Sequence, residues 1–185
     1  MNVIGLSGRA QAGKDTVGMH LVKTRGFERV SFADPLRSMA IVIYPVVGWD
    51  ERKQAPEYLQ EVVGQVGWAT AKELWPEVRR FLQRLGTNGV RDHLGSHVWV
   101  NLADENIHEL ADHGVPGVVL TDVRFPNEVE LIRRWSGTWA VIDRPGNNPA
   151  GMHTSETSLD YAKADLTIPN HGSIEQLFAE VDAKL

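Results

Sequence analysis

Residues 8 to 16 carry the clearest chemistry in this chain. Gly8, Arg9, Ala10, Gln11, Ala12, Gly13 and Lys14 fit the phosphate-loop spacing G-x-x-x-x-G-K, and Asp15 and Thr16 follow. Glycines let a backbone curl so that successive amide hydrogens converge on phosphate oxygens. A helix starting at the lysine adds its positive N-terminal end, and Lys14 can reach between the β- and γ-phosphates of a nucleoside triphosphate. The residue after the lysine is ordinarily a Ser or Thr whose hydroxyl meets magnesium, whereas here it is Asp15. A carboxylate beside a triphosphate is repelled unless a cation lies between them. Two readings follow: Asp15 faces the metal, directly or through water, while Thr16 serves the α-phosphate side, or Asp15 only favours the helix N-terminus. For the loop as a whole the plainer reading is a glycine turn with a surface lysine.

A second cluster lies in "VVLTDVRFPNE", where Asp122 and Arg124 follow a strongly apolar run. An acid at such a strand end can hold the hydration shell of magnesium, and Arg124 can offer a planar fork of donors to a transferred or acceptor phosphate. The competing readings are a turn cap for Asp122 and a loop-end salt bridge for Arg124.

Both clusters need elements to present them. "NVIGLS" is a short run with β-branched residues that reads as a buried strand, and "KDTVGMHLVKTRG" places Val17 and Leu21 at helical spacing before stopping at Gly26. Strand, glycine loop and helix is the setting the phosphate loop requires. "FERVSF", "GVPGVVLTD", "TWAVID" and "DLTIP" read as four further strands. "ADPLRSMAIVIY" reads as a helix capped by Asp34 with Pro35 in its first turn, and Pro45 ends it. From about 50 to 113 the pattern is helical, with Val78, Phe81, Leu82 and Leu85 on one face and Gly86 as a stop. "PNEVELIRRWSG" is a helix opened by Pro126, and Ser173 with Gln176 forms a capping box for a last helix. Strands alternating with helices predict a three-layer α/β fold around a five-stranded parallel sheet, with ligands at the carboxyl ends of the strands. The expected division is one domain, with a core over 1–34 and 114–185, a helical insertion over about 35–113 and a polar lid over about 145–163.

Composition narrows the partners. The chain has 185 residues, 42% of them hydrophobic and 23% charged, as in ordinary globular proteins, with a net charge of -5. That charge argues against a protein that neutralises a nucleic-acid polymer, whereas a small anionic ligand needs only local cations. Cysteine is absent, which excludes disulfides and thiolate metal sites. No apolar run is long enough to span a bilayer, and "MNVIGLSG" lacks a basic n-region ahead of an apolar stretch, so a cytoplasmic location is expected.

"SGRAQAGKDT", "FADPLR", "RFLQRLGTNGVR", "VWVNLA", "TDVRFPNE", "RPGNNPAGMHTSE" and "NHGSIEQLF", in this order from about residue 4 to 181, resemble the bacteriophage deoxynucleoside monophosphate kinases. The resemblance includes the Gly-Lys-Asp-Thr form of the loop and implies a P-loop kinase fold, ATP with Mg2+ as donor and a deoxynucleoside 5'-monophosphate as acceptor. By the same resemblance Gly13, Lys14, Asp15, Thr16 and Val17 bind ATP, Asn170 to Gly172 border the donor base, and Asp15 and Asp122 serve the metal. Phe32, Ala33, Asp34, Leu36, Arg84, Arg124 and Glu128 fall on the acceptor side, Arg144, His153 and Glu156 on the lid. Lys14, Asp122, Arg124 and Arg144 form its catalytic set. Some relatives carry a basic residue in the loop where this chain has Ala10, a contact that Arg9 replaces or that is missing here. Plainer roles compete at several positions: a helix cap for Asp34, a solvated side chain for Arg84, and core packing for Phe32 and Trp99. The location becomes the host cytoplasm if the chain is phage-encoded, and a homodimer is the working expectation for exposed helical lobes. A dephospho-coenzyme A kinase on the same scaffold and a non-catalytic ATP-binding regulator are the alternatives.

Overall fold

The computed structural model describes residues 1–145 and 158–185. In chain order the elements are β1 (Asn2–Ser7), α1 (Lys14–Arg25), β2 (Glu28–Val30), α2 (Asp34–Ile43), β3 (Val46–Asp50), β4 (Ala55–Tyr58), α3 (Leu59–Leu74) and α4 (Pro76–Gln83). A π-helical stretch (Arg84–Arg91), the short α5 (Asp92–Leu94), α6 (Val98–Asp112), β5 (Gly117–Leu120), α7 (Pro126–Arg134), β6 (Thr138–Asp143), a 3-10 turn (Tyr161–Lys163), β7 (Leu166–Pro169) and α8 (Ile174–Lys184) complete it. Two compact units result, one from 1–32 with 100–185 and one from 33–99.

The first unit is built on five parallel strands in the order β2-β5-β1-β6-β7. These are the five strands expected from the sequence. Their side chains alternate between two cores, as a period of two requires. Val3, Val118, Leu120 and Val141 face Val100, Ala103 and Ile107 of α6 and Val129, Leu131 and Ile132 of α7. Ile4, Leu6, Val119, Ala140 and Ile142 face Val17 and Leu21 of α1 and Leu177 and Val181 of α8. Helices on both faces produce the three-layer α/β architecture. Because each strand is covered on both sides, the central ones read as continuous apolar runs. Full burial of each Leu or Ile contributes roughly 1.5–3 kcal/mol before the opposing chain entropy.

Local signals set the helix ends. Gly26 closes α1 in the left-handed region, with φ 66° and its amide on the Val22 carbonyl. Ser173 and Gln176 make the reciprocal cap of α8, and the Ser173 hydroxyl holds the Glu175 carboxyl below the usual carboxylate range. At α2 the sequence reading needs correction, because Ala33 is the N-cap and Asp34 is already the first helical residue. Asp34 instead accepts from Arg37 Nη1 at 2.8 Å, one turn on.

The 33–99 unit has its own core of Ala40, Val47, Leu59, Val62, Ala71, Val78 and Leu82, with Leu36, Phe81 and Leu85 packed against it. Two features there depart from a purely helical reading. β3 and β4 pair as an antiparallel hairpin, and Gly86 does not stop a helix but sits inside the π-helical stretch. A Cβ on Gly86 would lie 2.9 Å from Leu36 Cδ2, and its carbonyl accepts from Trp99 Nε1 at 3.2 Å, so the glycine provides close packing.

Candidate functional site

A parallel sheet brings all its carboxyl ends to one edge. Here that edge carries the Gly8–Gly13 loop after β1, Ser31 and Phe32 after β2, the Thr121–Phe125 loop after β5, Arg144 after β6 and Asn170 after β7.

The phosphate loop is held in shape through its carbonyls. Gly8 has φ 137°, Gln11 φ 59° and Gly13 φ 104°. Lys14 Nζ donates to the Gly8 and Arg9 carbonyls, each at 2.8 Å. Arg144 Nη1 donates to the Gln11 carbonyl at 3.2 Å, and Asn170 Nδ2 to the Ala12 carbonyl at 2.9 Å. In a trans peptide the N–H points opposite to its carbonyl, so the anchor on Ala12 turns the Gly13 N–H away from Asn170. The amides of Lys14, Asp15 and Thr16 open α1 and have no intrahelical acceptor. The first intrahelical bond runs from Val17 N to Gly13 O at 3.0 Å. Val17 itself is fully buried, so its side chain packs in the core and its amide closes the first turn. Asp15 is exposed in that turn and Thr16 beside it is half-buried.

At the β5 end the Asp122 carboxylate accepts from Ser31 Oγ at 2.7 Å and from the Phe32 amide at 3.0 Å. Phe32 is 4% exposed with its ring in the core, so it meets this edge through its amide. Arg124 is exposed, and its guanidinium has no hydrogen-bond or ion-pair partner among the described residues. The Glu128 carboxylate is buried on the backbone: Oε2 accepts from the amides of Arg124 and Phe125. Asn170 takes its own amide to the Asp143 carbonyl at 2.7 Å, which sets the loop leading through exposed Gly172 into α8.

Of the remaining expected residues, Ala33, Asp34, Leu36 and Arg84 belong to the 33–99 unit. Leu36 packs in that unit's core, and Arg84 is exposed at the start of the π-helical stretch with no side-chain partner among the described residues. His153 and Glu156, with most of the expected lid, lie outside the described residues. Arg37, which the sequence reading passed over, pairs with Asp34, lies 6.0 Å from the Trp68 ring centroid and keeps a buried Nε without a partner. Its spacing of three from Asp34 was the available signal.

The deoxynucleotide monophosphate kinase family model matches residues 52–181. The chain belongs to that family. As a family member it is 29% identical, over 98% of its length and 94% of the other's, to a putative deoxynucleotide monophosphate kinase of Acanthamoeba polyphaga mimivirus. It is also 29% identical to the deoxynucleotide monophosphate kinase of Escherichia phage RB69, over 68% of this chain and 49% of that one. Among solved structures, an unliganded sugar kinase from Janibacter sp. HTCC2649 aligns over 99% of this chain and 93% of that one, with TM-score 0.51 and 15% identity. At that identity the likeness is one of fold.

Gly8 is a loop position where both space and backbone conformation oppose a side chain. A Cβ there would lie 2.5 Å from the Ile142 carbonyl oxygen, in backbone that cannot swing aside, at a φ that L residues rarely adopt. Gly8→Ala is expected to lower stability by about 1–3 kcal/mol, read as a lowered melting temperature in thermal melts; an unchanged melting temperature would contradict the geometry.

Proposed function

We propose that this protein transfers the γ-phosphoryl group of ATP, with Mg2+, to the 5'-phosphate of deoxynucleoside monophosphates, releasing ADP and a deoxynucleoside diphosphate. The observation that carries the reading is the phosphate loop at the mouth of α1, on the strand edge that also bears Lys14, Arg124 and Arg144, in a chain of this family. An acceptor phosphate oxygen attacks the γ-phosphorus as its bond to the bridging oxygen breaks, and ADP leaves. The attacking oxygen is already an anion, so no general base is required. The chain's own work is holding donor and acceptor in line and opposing the spreading negative charge.

Lys14, now folded onto the loop carbonyls, supplies a mobile ammonium, and Arg124 a planar fork free to meet phosphate. Magnesium usually takes one or two carboxylates together with substrate phosphates. Among the described residues no group of three or more His, Asp or Glu side chains could hold a metal alone. Exposed Asp15, in the first turn of α1, fits that sparse donor set, whereas the Asp122 carboxylate is engaged by Ser31 and Phe32. When bound, the metal neutralises phosphate charge. We assign acceptor recognition to the 33–99 unit, where Arg84 is an exposed cation.

A coupled ADP-release assay across dGMP, dTMP, dCMP, dAMP and dephospho-coenzyme A tests the reading. Turnover is expected with at least one deoxynucleotide and not with dephospho-coenzyme A; silence with every deoxynucleotide would refute it. Lys14→Met should lower kcat by at least about 10²–10³-fold in a chain that keeps its secondary structure by circular dichroism. Asp15→Asn should raise the magnesium concentration giving half-maximal rate, and an unchanged requirement would remove Asp15 from the metal site.

A further inference from the structure

The Asp122–Phe125 loop is held at every residue. Asp122 takes the Ser31 hydroxyl and the Phe32 amide. Val123 donates its amide to the Leu6 carbonyl at 3.2 Å. Its own carbonyl accepts from Ser7 Oγ at 2.9 Å, and Ser7 in turn accepts from Trp139 Nε1 at 2.7 Å, a fully buried relay. The last two holds come from one side chain: Glu128 Oε2 accepts from Arg124 N at 2.6 Å and from Phe125 N at 3.0 Å.

Glu128 is 2% exposed, and a carboxylate is buried at a large penalty unless donors surround it. Two backbone donors and the positive end of α7 offset that penalty. Capping alone accounts for only half of the arrangement. Phe125 is the N-cap residue of α7, so capture of its amide serves the helix. The Arg124 amide lies outside the helix, and its capture orients the residue whose guanidinium stands exposed beside it.

We propose that Glu128 is a positioning residue for Arg124: by gripping the peptide on each side of that residue it sets the direction in which the guanidinium leaves the β5 edge. The proposal rests on the phosphoryl-transfer reading above and goes beyond it, moving Glu128 from substrate contact to support of the arginine. A displacement of about 1 Å at a positioning group can lower a rate about 10²-fold. The aim of Arg124 therefore matters as much as its charge.

A double-mutant cycle with amide exchange tests this. Glu128→Ala removes the grip, Glu128→Asp keeps the charge but withdraws it by one methylene, and Glu128→Gln keeps an oxygen able to accept both amides. Ala and Asp should each lower kcat about 10²-fold with the KM for ATP unchanged, and Gln should restore it to within about 3-fold of wild type. In an Arg124→Ala background, Glu128→Ala should lower kcat by no more than about 3-fold further. Hydrogen exchange at the Arg124 and Phe125 amides should quicken in Ala and Asp but not in Gln. Should the Ala variant fail to fold, Asp carries the cycle. An equal loss with and without Arg124, or an Asp variant with wild-type kcat and fast-exchanging amides, would overturn the proposal while the activity stands. A wild-type chain inactive with every deoxynucleotide would overturn both.

Discussion

Backbone amides that open a helix have no intrahelical acceptor, and this protein arranges several of them at the end of a buried strand. The first-turn amides of α1 can remain available because the loop before them is tied down through its carbonyls by Lys14, Arg144 and Asn170. Each tie comes from a different place in the chain. Arg144 follows β6 and Asn170 follows β7, so the loop after β1 takes its shape only when the parallel sheet has assembled. Two loop glycines combine a positive φ with a close neighbour: Gly8 approaches the Ile142 carbonyl and Gly13 the Asn170 side chain.

The same economy governs the acidic side chains. Asp122 and Glu128 flank the exposed Arg124, and both have their carboxylates on backbone or hydroxyl donors. Asp15 remains the acid at the loop that faces solvent. Charge at this edge is thus divided: the carboxylates of Asp122 and Glu128 are held on loop donors, Lys14 and Arg144 lie on the carbonyls of the first loop, and Arg124 stands outward.

The sheet was legible in the sequence because its strands are covered on both faces and read as unbroken apolar runs, as in "GVVL", buried along its whole length. The β3–β4 hairpin was not, since its residues are mostly half-exposed, Pro56 interrupts β4 and its surroundings are helical. Gly86 misled for a related reason: a glycine admitted for close packing against Leu36 looks, in one dimension, like a helix stop. The phosphate loop was readable because its spacing is local. The destinations of the Asp122 and Glu128 carboxylates differ in kind. Asp122 reaches across about 90 residues to Ser31 and Phe32, which no local pattern records, whereas Glu128 at the third position of α7 carried the ordinary signal of a helix-opening acid.

The central claim is that main-chain N–H groups at the mouth of α1 hold a polyphosphate. Amide NMR during titration with ATP and Mg2+ reads this directly. Large shifts and slowed exchange at Gly13, Lys14, Asp15 and Thr16, saturating with ATP, are predicted. Saturable ATP binding that leaves those four amides unmoved would contradict the account.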